Sequence, residues 1–129
     1  MPRTTQLMLS LVSKRGVLAQ LARTLADAGV NITALSADAA TGRGKIRVLV
    51  NNPGKAKRVL RKAKYRAVEE PAFVVRLRNK PGALARVAAK LAKARINIKS
   101  AYATTTGRGA ATVIFTVGNA ARARRILGR

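Results

Sequence analysis

An α+β fold of two tandem βαββαβ units is predicted by three observations: a strand-like alternation that occurs twice, a helix-like periodicity that follows it each time, and a self-match that brings residues 6–36 onto residues 72–102. The matched pairs fall where structure needs them. They include Leu11/Leu77, Gly16/Gly82, Leu18/Leu84, Leu25/Leu91, Asn31/Asn97 and Ile32/Ile98, and after a one-residue gap Gly42-Arg43-Gly44 falls on Gly107-Arg108-Gly109. The units expected from this duplication are residues 1–70 and 71–129.

Each unit opens with apolar residues at every second position, Leu7, Leu9 and Leu11 in the first and Phe73, Val75 and Leu77 in the second, which predicts a half-buried strand. Gly16 or Gly82 breaks it. An amphipathic helix of about four turns follows, with Leu18, Leu21, Ala22, Leu25 and Ala28 on one face and Leu84, Val87, Ala88, Leu91 and Ala94 on its counterpart. A second strand is expected from Val30 or Ile96, and the Gly-Arg-Gly loop turns it into a third, over 46–50 or 111–117. A short basic helix comes next, over 54–64 with Ala56 and Leu60 inward, or over 119–127 with Ala123 and Leu127 inward. Residues 65–69 supply a fourth strand to the first unit only, and Glu69-Glu70-Pro71 leads directly into the next unit. The second unit therefore lacks its last strand, and the sheet edge this leaves points to a homodimer. Strand, helix, strand, strand, helix, strand is the ferredoxin-like arrangement, an antiparallel sheet with two helices on one face.

The 129 residues contain no cysteine and no histidine, which removes disulfides, thiol nucleophiles, imidazole bases and the usual zinc ligands together. With 48% hydrophobic residues the chain can bury a core. No apolar run reaches the roughly 20 residues that cross a bilayer, so no membrane association is expected and the cytoplasm is the expected location. An acid-poor start imitates a targeting leader, but that segment recurs as part of the repeat. The 27 Lys and Arg face only Asp27, Asp38, Glu69 and Glu70, a formal net charge of +23. Such a surface attracts polyanions, either as a nucleic-acid binder or through a general bias of surface composition.

The most informative segment is the turn between first strand and first helix: Asn79-Lys80-Pro81-Gly82-Ala83 in the second unit and Ser13-Lys14-Arg15-Gly16-Val17 in the first. Pro near a helix start is preorganised, and Gly lets the backbone approach a ligand. The open helix start favours a carboxylate or phosphate, which Asn79 or Ser13 could flank with a hydrogen bond. The purely structural alternative is that Asn79 and Ser13 cap their helices.

The run from Phe73 to Val87, with Asn-Lys-Pro-Gly-Ala-Leu at its centre, and the later Leu91-Ala-Lys-Ala-Arg-Ile-Asn-Ile resemble the ACT domain. The first unit matches through Lys14-Arg-Gly-Val-Leu-Ala and Leu25-Ala-Asp-Ala-Gly-Val-Asn-Ile. The whole chain is similar to small stand-alone tandem ACT proteins. That resemblance implies a non-catalytic regulatory module that needs no cofactor and binds an amino acid or related small carboxylate where ACT units pair. Carried over position by position, it implies ligand contacts from Asn79, Lys80, Pro81, Gly82, Ala83 and Leu84 with Asn97 and Ile98, and from Ser13, Gly16, Val17 and Leu18 with Asn31 and Ile32. Three departures stand out. In the first unit Arg15 replaces the Pro and Ser13 the Asp or Asn, and in the second Arg95 replaces the Gly that the first keeps at Gly29.

A nucleic-acid-binding sheet would carry stacking aromatics, and the chain has only Tyr65, Phe73, Tyr102 and Phe115. Nucleic acid is thus expected only through non-specific charge. An enzyme would need paired acids or a nucleophile with its base, and Glu69 and Glu70, as strand neighbours, point to opposite faces. The remaining alternative is an interaction module whose basic helices dock an acidic protein.

Overall fold

The computed structural model describes residues 3–12, 14–39, 42–105 and 107–127. Ten elements follow one another: β1 (Arg3–Val12), α1 (Val17–Asp27), β2 (Ile32–Ala39), β3 (Arg43–Val50), α2 (Pro53–Lys62), β4 (Ala67–Arg78), α3 (Ala83–Lys93), β5 (Ile98–Thr105), β6 (Ala110–Val117) and α4 (Ala120–Leu127). They divide between two compact units, Thr5–Glu70 and Pro71–Arg129, the latter joined by the segment Met1–Thr4. Among the described residues no helix is long and apolar enough to cross a membrane.

In the first unit β3 pairs antiparallel with both β1 and β2, with Leu9 opposite Ile46 and Leu35 opposite Val48. In the second, β6 takes the same central place between β4 and β5, with Phe73 opposite Phe115 and Tyr102 opposite Ile114. The period-two residues do what their spacing predicts. Leu7, Leu9, Ile46 and Val48 close a core with Leu21 and Leu25 of α1 and Ala56 and Leu60 of α2. Phe73, Val75, Val113 and Phe115 do the same with Val87 and Leu91 of α3 and Ala123 and Leu127 of α4. Each helix buries its apolar stripe because only that face can leave water without stranding a charge.

Several elements differ from the sequence expectation. The fourth strand expected over 65–69 and the strand that opens the second unit form a single strand, β4, of 12 residues. Pro71 withdraws one backbone donor at the place where membership passes from one unit to the other. The third strand starts earlier than residue 46, because Arg43 and Gly44 already pair with Val12 and Leu11. The short helices start on asparagine caps: Asn52 Oδ1 accepts from the Lys55 amide at 3.1 Å and Asn119 Oδ1 from the Arg122 amide at 3.0 Å.

The helix exits show what Arg95 does in place of glycine. Gly29 leaves α1 with φ 76°, and Arg95 adopts φ 60° at the matching point of α3, as Lys64 does with φ 70° after α2. The hydrogen bonds are reproduced, Val30 N–H to Leu25 O and Ile96 N–H to Leu91 O, both at 2.9 Å. The geometry is kept and the side chain bears left-handed strain. Replacing Arg95 or Lys64 by Gly is therefore expected to raise stability by about 0.5–1 kcal/mol each, after allowing for the greater freedom of Gly in the unfolded chain. Chemical denaturation of the single variants checks this, and a loss of stability at both sites would contradict it.

Candidate ligand cavities at the strand-to-helix turns

The two turns are built alike. Gly16 and Gly82 are the N-caps of α1 and α3, in left-handed conformation with φ 85° and 87°, and neither helix start has a side-chain cap. The first helical bonds run from Gln20 N–H to Gly16 O and from Arg86 N–H to Gly82 O, both at 3.0 Å. Val17 and Ala83 donate back into their turns, to Lys14 O and Lys80 O at 3.3 Å. The next two amides of each helix, those of Leu18 and Ala19 or Leu84 and Ala85, have no acceptor within the helix. Asn79 is tied by its backbone, its N–H donating to Gly109 O at 2.8 Å. The capping role open to Asn79 on sequence grounds is thus taken by Gly82, while Ser13 lies outside the described residues.

Pro81 precedes the N-cap and stands outside the helix. Arg15 holds that place in the first unit, yet Gly16 and Gly82 differ by only 2° in φ (85° against 87°), so the first turn keeps its shape without the proline. A Cβ on Gly16 or Gly82 would meet no atom within 4 Å. These glycines are required by their positive φ, not by crowding.

Against each turn lies a small cavity. The first, of about 190 Å³, is lined by Leu11, Val12, Val17, Leu18 and Ile46, with Lys14, Ala37 and Asp38 around it. The second, of about 270 Å³, is walled by Leu77, Ala83, Leu84, Ala103 and Val113, with Arg78, Asn79, Lys80 and Thr104 around it. Both are smaller than the roughly 300–1,000 Å³ of sites for drug-sized ligands, a scale that suits a molecule of a few heavy atoms. Leu18 and Leu84 stand 42% and 50% exposed beside these cavities. Helical spacing had placed them on the core face, but at the first turn that face has reached the end of the sheet.

Of the residues implied by the resemblance, Val17 and Leu18 line the first cavity and Asn79, Lys80, Ala83 and Leu84 the second, with Gly16, Pro81 and Gly82 in the adjoining backbone. Asn31, Ile32, Asn97 and Ile98 lie elsewhere. Asn31 exchanges bonds with Asn51 at 3.0 Å, and Asn97 O accepts from the Gly118 amide at 2.9 Å. Both sit at the far ends of the strands whose near ends reach the turns. Along β3 the separation from Arg43 to Val50 is about 23 Å, at about 3.3 Å per residue. Asp38 and Thr104, at the near ends of β2 and β5, were not singled out by the motif. The rarity of acids in the chain was the signal for Asp38.

A third cavity, of about 350 Å³, is lined by Lys57, Arg61, Tyr65, Arg66 and Ala67 at the exit of α2. Among the described residues no group of three or more His, Cys, Asp or Glu could hold a metal ion.

Comparison with known proteins agrees with this architecture. The family model of the ACT domain pair matches residues 3–128. Protein BT0572 from Bacteroides thetaiotaomicron is similar in structure with a TM-score of 0.90 at 25% identity, the match covering 98% of this chain and 87% of that one. The ligand-free regulatory subunit of aspartate kinase from Thermus thermophilus has a TM-score of 0.72 at 18% identity, covering 98% and 91%. The corresponding subunit from Thermus flavus has a TM-score of 0.61 at 15% identity, covering 99% and 95%. No curated protein matches the chain by sequence.

Proposed function

We propose, since the chain belongs to the ACT domain pair family, that it is a regulatory module that binds an amino acid or a related small carboxylate without transforming it, with Met1–Glu70 and Pro71–Arg129 as its two ACT units. The observation that carries this reading is the recurrence, in both units, of an apolar cavity against a helix start that no side chain caps. Free amides and the positive end of the helix favour a carboxylate, and the apolar wall favours the rest of a small metabolite. Catalysis is no part of the reading. The chain has no Cys or His, and three of its carboxylates are engaged by cations.

Asn31, Ile32, Asn97 and Ile98 would join a ligand only where another ACT unit brought its turn to them, since they lie far from the turn of their own unit. The reading includes a homodimer in the cytoplasm, whose assembly and ligand occupancy would be linked. A ligand that prefers one arrangement shifts the population toward it.

A thermal-shift panel of the twenty amino acids tests the reading, at a salt concentration high enough to screen non-specific anion effects. A ligand at a hundred times its Kd is expected to stabilise by about 2.7 kcal/mol, a shift of several degrees. A flat panel would overturn it. The weight would then pass to a basic interaction module, for which the cations Lys57, Arg61 and Arg66 around the third cavity are the specific support.

A further inference from the structure

We infer that the cavity at the exit of α2 is a separate binding site for a small organic phosphate, with Lys57 and Arg61 holding the phosphate and Tyr65 walling the organic part. The site goes beyond the proposed function and shares no residue with the turn cavities. At about 350 Å³ it is larger than either of them, and it alone of the three falls within the roughly 300–1,000 Å³ of small-molecule sites. All of its lining belongs to the unit Thr5–Glu70. Lys57 and Arg61 are neighbours on one flank of α2, beside the buried Ala56 and Leu60. Tyr65 and Ala67 pack against the same core, on the helix side of the sheet, and Glu69, two residues further along β4, shares that face. The two walls therefore face each other, and Lys57 Nζ reaches Glu69 Oε1 at 2.6 Å.

The balance of charge around this cavity is one-sided. The twelve residues from Lys55 to Arg66 hold seven cations and no acid. Glu69 engages Lys57, while Arg61 has no ion pair among the described residues. A place in the last turn of α2 suits Arg61 to the helix dipole, but sets it four residues from Lys57, where like charges repel. A dianion between the two relieves that repulsion, and the guanidinium offers a phosphate group a planar fork of donors. Glu69 acts as an internal stand-in for the ligand. Its carboxylate already occupies Lys57, in a pair with side chains 51% and 34% exposed that an arriving phosphate can displace at little cost. The half-buried ring of Tyr65, fixed against the core, supplies a firm wall for the base or sugar that carries the phosphate.

The probes are AMP and inorganic phosphate, titrated into the full chain at about 0.15 M salt and read by NMR at the amides of Arg61 and Tyr65. AMP is expected to move both amides and to bind about tenfold more tightly than phosphate, through its base on the Tyr65 wall. Arg61→Gln should weaken AMP about tenfold, and Glu69→Gln should strengthen it about threefold by freeing Lys57. Arg23→Gln and Asp27→Asn make the same changes of net charge in an exposed pair on α1, away from this cavity, and should leave the affinity within a factor of about two. If these charge-matched controls alter the affinity as much as the Arg61 and Glu69 variants do, the binding is diffuse attraction to a chain of net charge +23 and the inference fails. It fails equally if phosphate binds as tightly as AMP, or if neither probe moves the two amides. The amino-acid panel is decided separately from all of these outcomes.

Discussion

Replacing Glu70 by alanine is expected to lower the stability of the protein by about 3 kcal/mol, and replacing its neighbour Glu69 by less than about 1 kcal/mol. The two residues are identical in type and adjacent in β4, so the difference comes from surroundings alone. Strand alternation sends them to opposite faces. Glu69 reaches Lys57 with side chains 51% and 34% exposed, where water screens the pair and the flexible stems lose entropy in forming it. Glu70 is 15% exposed, accepts from Arg47 Nε at 3.3 Å and from Gln6 Nε2 at 3.2 Å, and partners a guanidinium that is itself only 12% exposed. Removing Glu70 leaves that guanidinium charged and largely dry, and the loss is then the full cost of an uncompensated buried ion. Thermal unfolding should separate the variants by roughly ten degrees. Equal losses for the two alanine variants would refute the burial argument.

The second large effect is expected at the turn of the second unit. Leu84→Glu should weaken carboxylate binding at the Leu84 cavity at least tenfold while leaving the fold as stable as before or up to about 1 kcal/mol more stable. Leu84 is the second residue of α3, half exposed, and a carboxylate there would accept from the amides that no side chain now caps. The protein would thereby occupy its own anion site. Opposite signs for stability and affinity distinguish this from a variant that merely damages the turn. Calorimetric titration of the variant with whichever amino acid binds the parent protein decides it, and unchanged affinity in the folded variant would remove the turn from the site.

Much of this architecture was legible because burial and periodicity report the same thing. The alternation at Leu7, Leu9 and Leu11 and at Phe73 and Val75, and the helical stripes at Leu21, Leu25, Val87 and Leu91, lead straight to the two cores. Leu18 and Leu84 fit the stripe equally well, but periodicity assigns a direction around the helix and cannot tell where the sheet beneath it ends. The buried group of Gln6, Arg47 and Glu70 was invisible because it joins three strands whose register is known only once they are paired. Arg95, standing where the first unit has glycine, leaves the exit of α3 unchanged in its backbone, since the Ile96 bond to Leu91 closes as the Val30 bond to Leu25 does, with the strain borne by a single residue.

The motif led to the turns but not to the strand residues that line the cavities beside them. Lys80, Gly82 and Leu84 belong to a recurring pattern and can be found by matching, whereas Asp38 and Thr104 differ between the repeats and can be found only once the cavities exist. Duplication hides its most informative positions from a search for likeness.

The glycine caps of α1 and α3, set beside the asparagine caps of α2 and α4, carry one more consequence. Asn52 and Asn119 seal their first turns, so hydrogen exchange there must wait for the helix to open. The first turns after Gly16 and Gly82 lack that seal, and their amides belong to the fast-exchanging, low-stability end of the molecule. A bound carboxylate would act as the missing cap and quiet the helix start it sits on. Affinity and local rigidity would then be two readings of a single free energy, and the loss of motion at the turn would itself be the message passed on.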